Sequence, residues 1–193
     1  MSARTLIRPA ARPARGRATR ADLDALQDDV VLRELIEGEI VVNPAPTPRH
    51  QMVLCNLADL VRAHVRAERL GVALVAPLDV VFDERNVTQP DLLFVPAKRA
   101  LKLARARAVE VAPDLVVEIL SPSTQSRDRS KKLTIYQRHG VRHYWLLDPE
   151  ERALEEYVRR RGRFSLAADL AGDAPFEPAA FPGLVIDLGQ VWV

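Results

Sequence analysis

The segment Asp114–Leu120 (DLVVEIL) limits the possible folds of this chain more than any other feature. A continuous apolar run interrupted by one acid, Glu118, is typical of a strand buried on both faces near the centre of a sheet. A short loop follows, then a helical segment at Arg127–His139 and a second apolar strand at Val141–Leu147. A strand, a helix and a strand within about thirty residues form a crossover unit, and its two strands are predicted to pair in parallel.

Further elements extend this unit into an α/β fold. Three prolines exclude both helix and central strand over residues 44–48, and Thr47 and Pro48 have the residue types of a helix cap and a first helical position. The predicted helices are Asp22–Glu37, capped by Asp22, and Pro48–Leu70, and residues 97–110 are predicted as a surface loop or short helix. The predicted strands are Glu39–Asn43, Val72–Ala76, Leu78–Phe82 and Asp91–Val95, then a hairpin over 153–167 that turns at Arg161–Gly162 and a last strand at Leu184–Leu188. The sequence therefore predicts a mixed central β-sheet flanked by helices.

The length and the cysteine content restrict the class of protein. With 193 residues the chain is long enough for one domain with a full hydrophobic core, which we place at residues 22–193. The one cysteine, Cys55, excludes a disulfide framework and a cysteine-based zinc site. No apolar stretch is long enough to span a bilayer, and no signal-peptide core follows Met1. These features predict a soluble cytoplasmic protein with no membrane partner.

Positive charge is concentrated at the start of the chain. Residues 1–20 contain six arginines and no acid, so the remainder is net negative although the whole chain carries +2. Proline, glycine and the lack of apolar periodicity predict that residues 1–21 form a disordered tail. The tail either holds nucleic-acid phosphates or is a solvated extension without a partner. The candidates for nucleic-acid contacts, including two from a second basic cluster, are Arg12, Arg15, Arg17, Lys98 and Lys102.

Glu118 is the residue whose position most needs a chemical explanation. An ionised carboxylate in a buried strand has a large desolvation cost unless it is paired or binds a metal ion. Its place near the end of the strand, before a Ser-Pro-Ser turn, is where open α/β sheets bind ligands. The two interpretations of Glu118 are a functional acid and a structural ion pair.

Asp91 is a second acid at the mouth of a strand. It follows Pro90 and begins the segment DLLFV. Two carboxylates on adjacent strands provide the hard oxygen ligands that Mg²⁺ or Mn²⁺ prefers, with water completing the coordination shell. The alternative for Asp91 is a turn acid that accepts hydrogen bonds from nearby backbone N–H groups.

The crossover helix carries a lysine within reach of this site. Asp128, Lys132 and Tyr136 are spaced four residues apart and share one helix face. The long side chain of Lys132 can return its ammonium to the end of the Glu118 strand, where it would stabilise developing negative charge. Lys131 points about a quarter-turn away on the helix and is the second candidate for the lysine of this site. The alternative is an ordinary surface pair between Asp128 and Lys132.

These segments together resemble a known family. The similarity is to the Uma family ("Uma two") of bacterial restriction-endonuclease-like proteins, a branch of the PD-(D/E)XK nuclease superfamily. It lies in QPDLLFV (89–95), DLVVEILSPST (114–124), RDRSKKL (127–133) and YQRHGVRHYWLLDP (136–149), with LIEGEIVVNPAPTPRHQ (35–51) upstream. The resemblance covers roughly residues 28–188 and implies a restriction-endonuclease-like fold with a metal-dependent phosphodiesterase core.

The resemblance also implies roles for individual residues. Asp91 matches the Pro-Asp acid of the superfamily and Glu118 its second acid, and both would hold the metal ion together with the carbonyl of Ile119. The lysine of the (D/E)XK motif is absent, because Leu120 stands at that position. Lys132 matches a lysine that the family carries on the following helix, which implies that the ammonium has moved.

Two upstream residues are further candidates. Glu39 resembles an N-terminal acid that many nucleases of the superfamily place near their metal ions, and His50 matches a histidine of the family pattern. The alternatives are a solvated acid at a strand edge for Glu39 and a first-turn residue that hydrogen-bonds the proline loop for His50.

The hypothesis that follows is an endonuclease that hydrolyses DNA phosphodiester bonds with Mg²⁺ or Mn²⁺ and uses no small-molecule cofactor. Asp91, Glu118, Lys132 and Glu39 would be catalytic, and Asp128 would orient Lys132 through their i,i+4 contact. A homodimer is expected by analogy with small single-domain nucleases that cut both strands.

Two competing hypotheses assign no cleavage to the chain. One is a catalytically degenerate module of the same fold that binds nucleic acid or protein, which Leu120 and the acidic body of the chain favour. The other is a structural or regulatory protein whose acids only form ion pairs.

Overall fold

The computed structural model describes residues 17–26 and 31–193 of the chain. Helices α1 to α5 are Arg20–Asp24, Pro48–Ala67, Ala97–Ala100, Gln125–Arg127 and Leu133–Arg138. Strands β1 to β12 are Arg33–Ile36, Glu39–Val42, Gly71–Val75, Val80–Asp83, Asn86–Thr88, Leu92–Pro96, Leu115–Ile119, His143–Asp148, Ala153–Arg160, Arg163–Ala171, Pro175–Phe176 and Ile186–Asp187. A π-helical turn, Asp128–Lys132, joins α4 to α5, and 3₁₀ turns lie at Leu103–Arg105 and Leu188–Gln190.

A six-stranded mixed sheet in the order β10-β9-β8-β7-β6-β3 forms the centre of the molecule. β7 and β8 pair in parallel, with Leu115 opposite His143 and Ile119 opposite Leu147. α4, the π-helical turn and α5 make the crossover between these two strands. The other neighbours in the sheet are antiparallel. The predicted crossover unit and the predicted α/β class with a mixed central sheet are confirmed.

A second sheet of four strands, β2-β1-β5-β4, shows that the predicted helix Asp22–Glu37 is wrong. That range contains the end of α1 and the whole of β1. Glu37 and Gly38 take left-handed φ angles of 51° and 76°, and the two-residue turn that they form pairs Ile36 with Glu39. β1 is paired on both sides, and this tertiary pairing overrides the helical spacing of its apolar residues.

The long helix α2 begins where the sequence predicts. The Thr47 hydroxyl accepts a hydrogen bond from the His50 N–H, as an N-cap does. The helix ends at Ala67 rather than at Leu70, because Arg69 takes a left-handed φ of 53°. Its apolar face packs against β6 and β7 in the larger core. Neither α2 nor any other helix in the described ranges is long and apolar enough to cross a membrane.

The central strand β7 divides its side chains between two buried clusters. Val117 and Ile119 face α2, while Val116 and Leu120 pack in the cluster that contains residues of α5. Glu118 alternates onto the same face as Val116 and is 4% exposed. Its carboxylate therefore lies between the central sheet and the crossover helix, and the prediction of a buried central strand is confirmed.

The remaining predicted elements differ mainly in their bounds. The strands predicted around 39–43, 72–76, 78–82 and 91–95 correspond to β2, β3, β4 and β6. β5 was not predicted, because a three-residue strand is too short to show a period. The predicted hairpin is formed by β9 and β10 and turns at Arg161–Gly162, and the last strand is restricted to β12, which pairs with β11. The segment 97–110 contains α3 and a 3₁₀ turn.

The predicted boundary between tail and domain lies too far along the chain. Ala18 is buried, and the Thr19 hydroxyl caps α1 in place of Asp22, whose own carboxylate accepts a hydrogen bond from the Thr19 N–H. The last residues of the predicted tail 1–21 thus pack on the fold. Residues 1–16 lie outside the described residues.

Candidate active site

A cavity of about 550 Å³ opens at the end of the central sheet where β7 stops and β6 begins. Four parts of the chain meet there: the first turn of α2, the residue before β6, the end of β7 and the π-helical turn. They supply His50, Asp91, Glu118, Asp128 and Lys132 to its wall. The three side chains on which the predicted site depends, Asp91, Glu118 and Lys132, therefore share one cavity.

The Lys132 ammonium lies in the buried part of this cavity among three carboxylates. Its Nζ is 2.9 Å from Glu34 Oε1, 3.0 Å from Glu118 Oε1 and 3.4 Å from Asp128 Oδ1, and the side chain is 4% exposed. Burial acts to lower the pKa of Lys132, but the three carboxylates raise it well above its ordinary value. The pair with Asp128 has the predicted i,i+4 spacing, and its burial excludes an ordinary surface pair.

Glu118 receives two hydrogen bonds on one oxygen. The Tyr136 hydroxyl donates to Oε1 at 2.6 Å and the Lys132 ammonium donates to the same atom at 3.0 Å. Burial raises the pKa of Glu118 well above its ordinary value, neighbouring acids add to the effect, and Lys132 offsets it only in part. The site thus places three carboxyl groups around one buried ammonium.

Glu34 completes the cluster, and it was not among the predicted site residues. Its fully buried carboxylate accepts hydrogen bonds from Asn43 Nδ2 at 2.9 Å and from the Gln89 N–H at 2.8 Å, besides the Lys132 contact. Burial acts to raise the pKa of Glu34, but Lys132 and these two donors hold it below its ordinary value. Glycine at position 38 was the available signal, because a turn there places Glu34 on a strand rather than on a helix.

Asp91 is fixed from two sides at the start of β6. Its Oδ2 accepts a hydrogen bond from the Ile119 N–H at 2.7 Å and lies 3.3 Å from His50 Nε2. Burial acts to lower the pKa of His50, but the Asp91 carboxylate raises it above its ordinary value. Asp91 does accept from a backbone N–H, as a turn acid would, yet the donor lies on a different strand.

The backbone at the end of β7 points toward Asp91. In an extended strand the N–H and C=O of one residue face the same side, so the Ile119 carbonyl faces the side on which its N–H meets Asp91. The Leu120 N–H faces the other way and donates to the Leu147 carbonyl at 2.7 Å. The Leu120 side chain is buried in an apolar cluster and brings no charge to the cavity.

Comparison with known proteins identifies the family. The family model described as "Uma2: Putative restriction endonuclease" matches residues 21–189. This chain belongs to the Uma2 family. The matched range contains every residue of the cavity cluster, and the resemblance predicted from the sequence motifs is confirmed. No curated protein matches the chain.

A crystal structure from Anabaena variabilis ATCC 29413 has the same fold as this Uma2 chain. It is described as "a putative nuclease belonging to DUF820" and aligns with a TM-score of 0.76 and 23% identity. The alignment covers 90% of this chain and 96% of that chain. At this level of identity the likeness establishes the fold alone, which confirms the restriction-endonuclease-like class.

Two predicted site residues of the Uma2 chain pair with each other outside the cavity. Lys131 Nζ lies 3.5 Å from Glu39 Oε2, and both side chains are partly exposed. Neither residue lines the cavity. The acid that the N-terminal strands bring to Lys132 is Glu34 on β1, not Glu39 on β2.

The predicted nucleic-acid contacts that fall in the described part of the chain do not line the cavity. Lys98 and Lys102 are exposed on and after α3, which follows β6 at the end opposite Asp91. Arg17 is exposed ahead of α1. Arg12 and Arg15 lie outside the described residues.

The donor atoms at the cavity suit a hard divalent cation. Both contacts on Asp91 fall on Oδ2 and both on Glu118 fall on Oε1, which leaves the second oxygen of each carboxylate for another partner. Asp128 Oδ1 is buried and accepts no hydrogen bond, and its ion-pair partner is the Lys132 ammonium at 3.4 Å. Within residues 17–26 and 31–193, no three His, Cys, Asp or Glu side chains are arranged to hold a metal ion. A cation here would therefore depend on two carboxylates, backbone and water, which is common for Mg²⁺.

Proposed function

We propose that this Uma2 chain is a divalent-metal-dependent endonuclease that hydrolyses DNA phosphodiester bonds. The observation that carries the proposal is the meeting of Asp91, Glu118 and Lys132 at one cavity that holds an excess of carboxylates. Buried negative charge is unfavourable, and Mg²⁺ or Mn²⁺ would offset it. The family description, "Putative restriction endonuclease", and the description of the Anabaena protein as a "putative nuclease" support the same activity.

The metal ligands in this proposal are Asp91, Glu118 and the Ile119 carbonyl. A bound Mg²⁺ or Mn²⁺ lowers the pKa of a water molecule and neutralises charge on the scissile phosphate. His50 Nε2 and the Ile119 N–H both contact Oδ2 of Asp91 and hold its carboxylate in place. Tyr136 holds the Glu118 carboxylate through its hydroxyl. Because these contacts fix one oxygen of each carboxylate, the other oxygen also has a defined position from which it can bind the metal ion.

Lys132 would provide the fixed positive charge of the site. Glu34 and Asp128 hold its ammonium beside Glu118, so little reorganisation is needed when negative charge develops on the phosphate. Glu34 takes the place that the sequence resemblance gave to Glu39, which together with Lys131 stays outside the proposed machinery.

We further propose double-stranded DNA as the substrate and a homodimer as the working form, because one cavity of this kind cuts one strand. Cys55 is exposed and free, which supports the reducing cytoplasm as the compartment.

A non-cleaving module of the same fold is the second candidate. The observation in its favour is that Lys132 is buried and held by three carboxylates, while Leu120 leaves the usual lysine position without charge. In that case the cavity would bind a cation for stability and the chain would bind its partner elsewhere.

Nicking of supercoiled plasmid tests the proposal. Wild-type protein with Mg²⁺ or Mn²⁺ is expected to nick the plasmid, and Asp91→Asn and Glu118→Gln are each expected to reduce the rate by about 100-fold or more. Asp173→Asn is the matched control, because its carboxylate pairs with Arg152 at the surface. Equal nicking by all four proteins would contradict the proposed site. Metal binding measured by calorimetry without any nicking would favour the non-cleaving module.

A further inference from the structure

The edge strand β3 lies in a second groove, away from the proposed active site. β3 pairs with β6 on one side, and within the described residues it has no strand neighbour on the other. α2 packs on one face of β3, and α3 packs on the opposite face. A groove of about 630 Å³ between these helices runs along the free edge of the strand.

Backbone polar groups unpaired within the described structure lie along the free edge of β3, and residues 71–74 of the strand line the groove. Two hydrogen bonds close the ends of the β3–β6 ladder, from the Ala76 N–H to the Asp91 carbonyl and from the Ala97 N–H to the Leu70 carbonyl. Because an antiparallel ladder alternates, the N–H and C=O of Ala73 and Val75 face away from β6. No described residue hydrogen-bonds these groups. They form a template for one more strand.

The α2 side of the groove carries three exposed arginines, and further exposed basic side chains lie near the groove on α3 and on the segment after it. None of them makes an ion pair with a described residue. Glu68, at the end of α2, is an acid on the same rim. The basic residues are Arg62, Arg66, Arg69, Lys98, Lys102, Arg105 and Arg107.

An exposed apolar side chain lies within this basic rim. Leu101 is 83% exposed and lines the groove with Ala100 and Ala104 of the same segment and Val65 of α2. Unpaired backbone N–H and C=O groups on an edge strand are an aggregation hazard unless a partner covers them, and an exposed leucine beside them adds to that hazard.

We propose that this groove binds an extended, acidic segment of a partner protein, which adds a strand beside β3. Its backbone would pair with Ala73 and Val75, apolar side chains would cover Leu101, and carboxylates would meet the arginines of α2. A second copy of the chain does not fit, because β3 against β3 would bring two basic rims together. Residues 1–16 do not fit either, since they contain arginines and no acid. A DNA backbone would match the charge but would leave the strand edge and Leu101 unused.

Amide hydrogen exchange of the full chain tests the proposal directly. The probe is a short peptide in which valine and glutamate alternate, and the control peptide has lysine in place of glutamate. The glutamate peptide is expected to slow exchange at Ala73 and Val75 and to leave Val72 and Leu74, which already face β6, unchanged. Absence of this alternating protection, or equal protection by the lysine peptide, would overturn the proposal. Displacement of the glutamate peptide by a short DNA duplex would assign the groove to nucleic acid instead.

Two variants separate strand pairing from charge. Ala73→Pro removes an outward-facing N–H without breaking the ladder to β6, and it is expected to weaken peptide binding roughly fivefold. Arg62→Glu with Arg66→Glu is expected to weaken binding about tenfold or more and to remove its salt dependence. Arg160→Glu with Arg163→Glu, at the distant β9–β10 turn, is the matched control. Unchanged binding in the α2 variant would overturn the proposal. Plasmid nicking by these variants reports the proposed nuclease function separately.

Discussion

Lys132 sets the charge balance of the cavity. One ammonium contacts Glu34, Glu118 and Asp128, and all four side chains are buried. Because a buried ion pair gains little over an apolar pair but is costly to break, these contacts serve to position the ammonium more than to stabilise the fold. Removing this ammonium is therefore expected to cost much stability, because three buried carboxylates would lose their cation.

We expect Lys132→Met to destabilise the protein by about 3–5 kcal/mol, because it leaves three buried carboxylates without their cation. Lys131→Met is the matched control, and we expect a change within about 1 kcal/mol, because Lys131 is exposed and pairs only with Glu39 in the described structure. Urea denaturation of both variants in the presence of a chelator measures the difference. Similar losses for the two variants would contradict the proposed charge balance.

The raised pKa of Glu118 predicts a specific pH dependence of stability. An acid whose pKa is higher in the folded than in the unfolded state binds more protons when folded, so stability falls as pH rises above its unfolded pKa. We therefore expect the metal-free wild-type protein to gain stability between about pH 7 and about pH 5 relative to Glu118→Gln. Glu34, whose pKa is lowered, acts in the opposite direction and only at lower pH.

Denaturant titrations of the two proteins at both pH values give the comparison. His50 and the other groups titrate in both proteins, so the difference between the two pH profiles isolates Glu118. Parallel profiles would show that Glu118 is ionised throughout this range.

Among single residues, the sequence predicted the site residues that stand out within their own segments. Asp91 and Glu118 stand out because an acid at a strand mouth or in an apolar run requires an explanation, and Lys132 follows from helix spacing. The structure brings these three together. Glu34 was missed because its role depends on a contact between the four-stranded sheet and the crossover segment, and because the sequence predicts a helix over its own segment.

The β1–β2 hairpin is the element that delivers Glu34 to the cavity. Its turn uses Glu37 and Gly38, both with left-handed φ angles, and β1 then carries Glu34 to the Lys132 ammonium. The apolar residues of β1 have a spacing compatible with either helix or strand, and a run this short does not decide between them. Such an element is determined by its neighbours, β2 and β5, which a single sequence does not show.

We expect Gly38→Ala to destabilise the protein by about 1–2 kcal/mol, because a side chain is unfavourable at this left-handed φ. Glu37→Asn is the control, since asparagine tolerates the left-handed region, and we expect little change or a small gain in stability. Thermal unfolding followed by circular dichroism measures both. A neutral Gly38→Ala variant would indicate that the turn can change its geometry without disturbing the pairing of β1.

At the scale of the whole molecule, acidic and basic surfaces occupy different ends of the central sheet. The acidic cavity lies at the start of β6 and the basic groove lies beside α3, which follows the end of that strand. The sequence predicted an acidic body with a basic cluster near residues 98–107 but not their separation, which depends on the direction of β6 in the sheet. This separation allows a cation and an acidic partner to bind without competing for the same groups.

We expect Mg²⁺ or Mn²⁺ at about 100 times its dissociation constant to stabilise the whole protein by about 2.7 kcal/mol, a rise in melting temperature of roughly 5–10 °C. Asp91→Asn is expected to lose this rise, because it removes one of the two proposed carboxylate ligands. Asp173→Asn is expected to retain it, since Asp173 pairs with Arg152 away from the cavity. Differential scanning fluorimetry with increasing metal concentration measures the shift. An undiminished rise in Asp91→Asn would place the cation elsewhere.

The contact between Lys132 and Glu34 joins a residue of the crossover helix to a strand of the four-stranded sheet. The position of the ammonium is therefore tied to the docking of the β1–β2 hairpin on the rest of the domain. A chain in which this hairpin had separated would lack one of the three carboxylates that hold Lys132 in place.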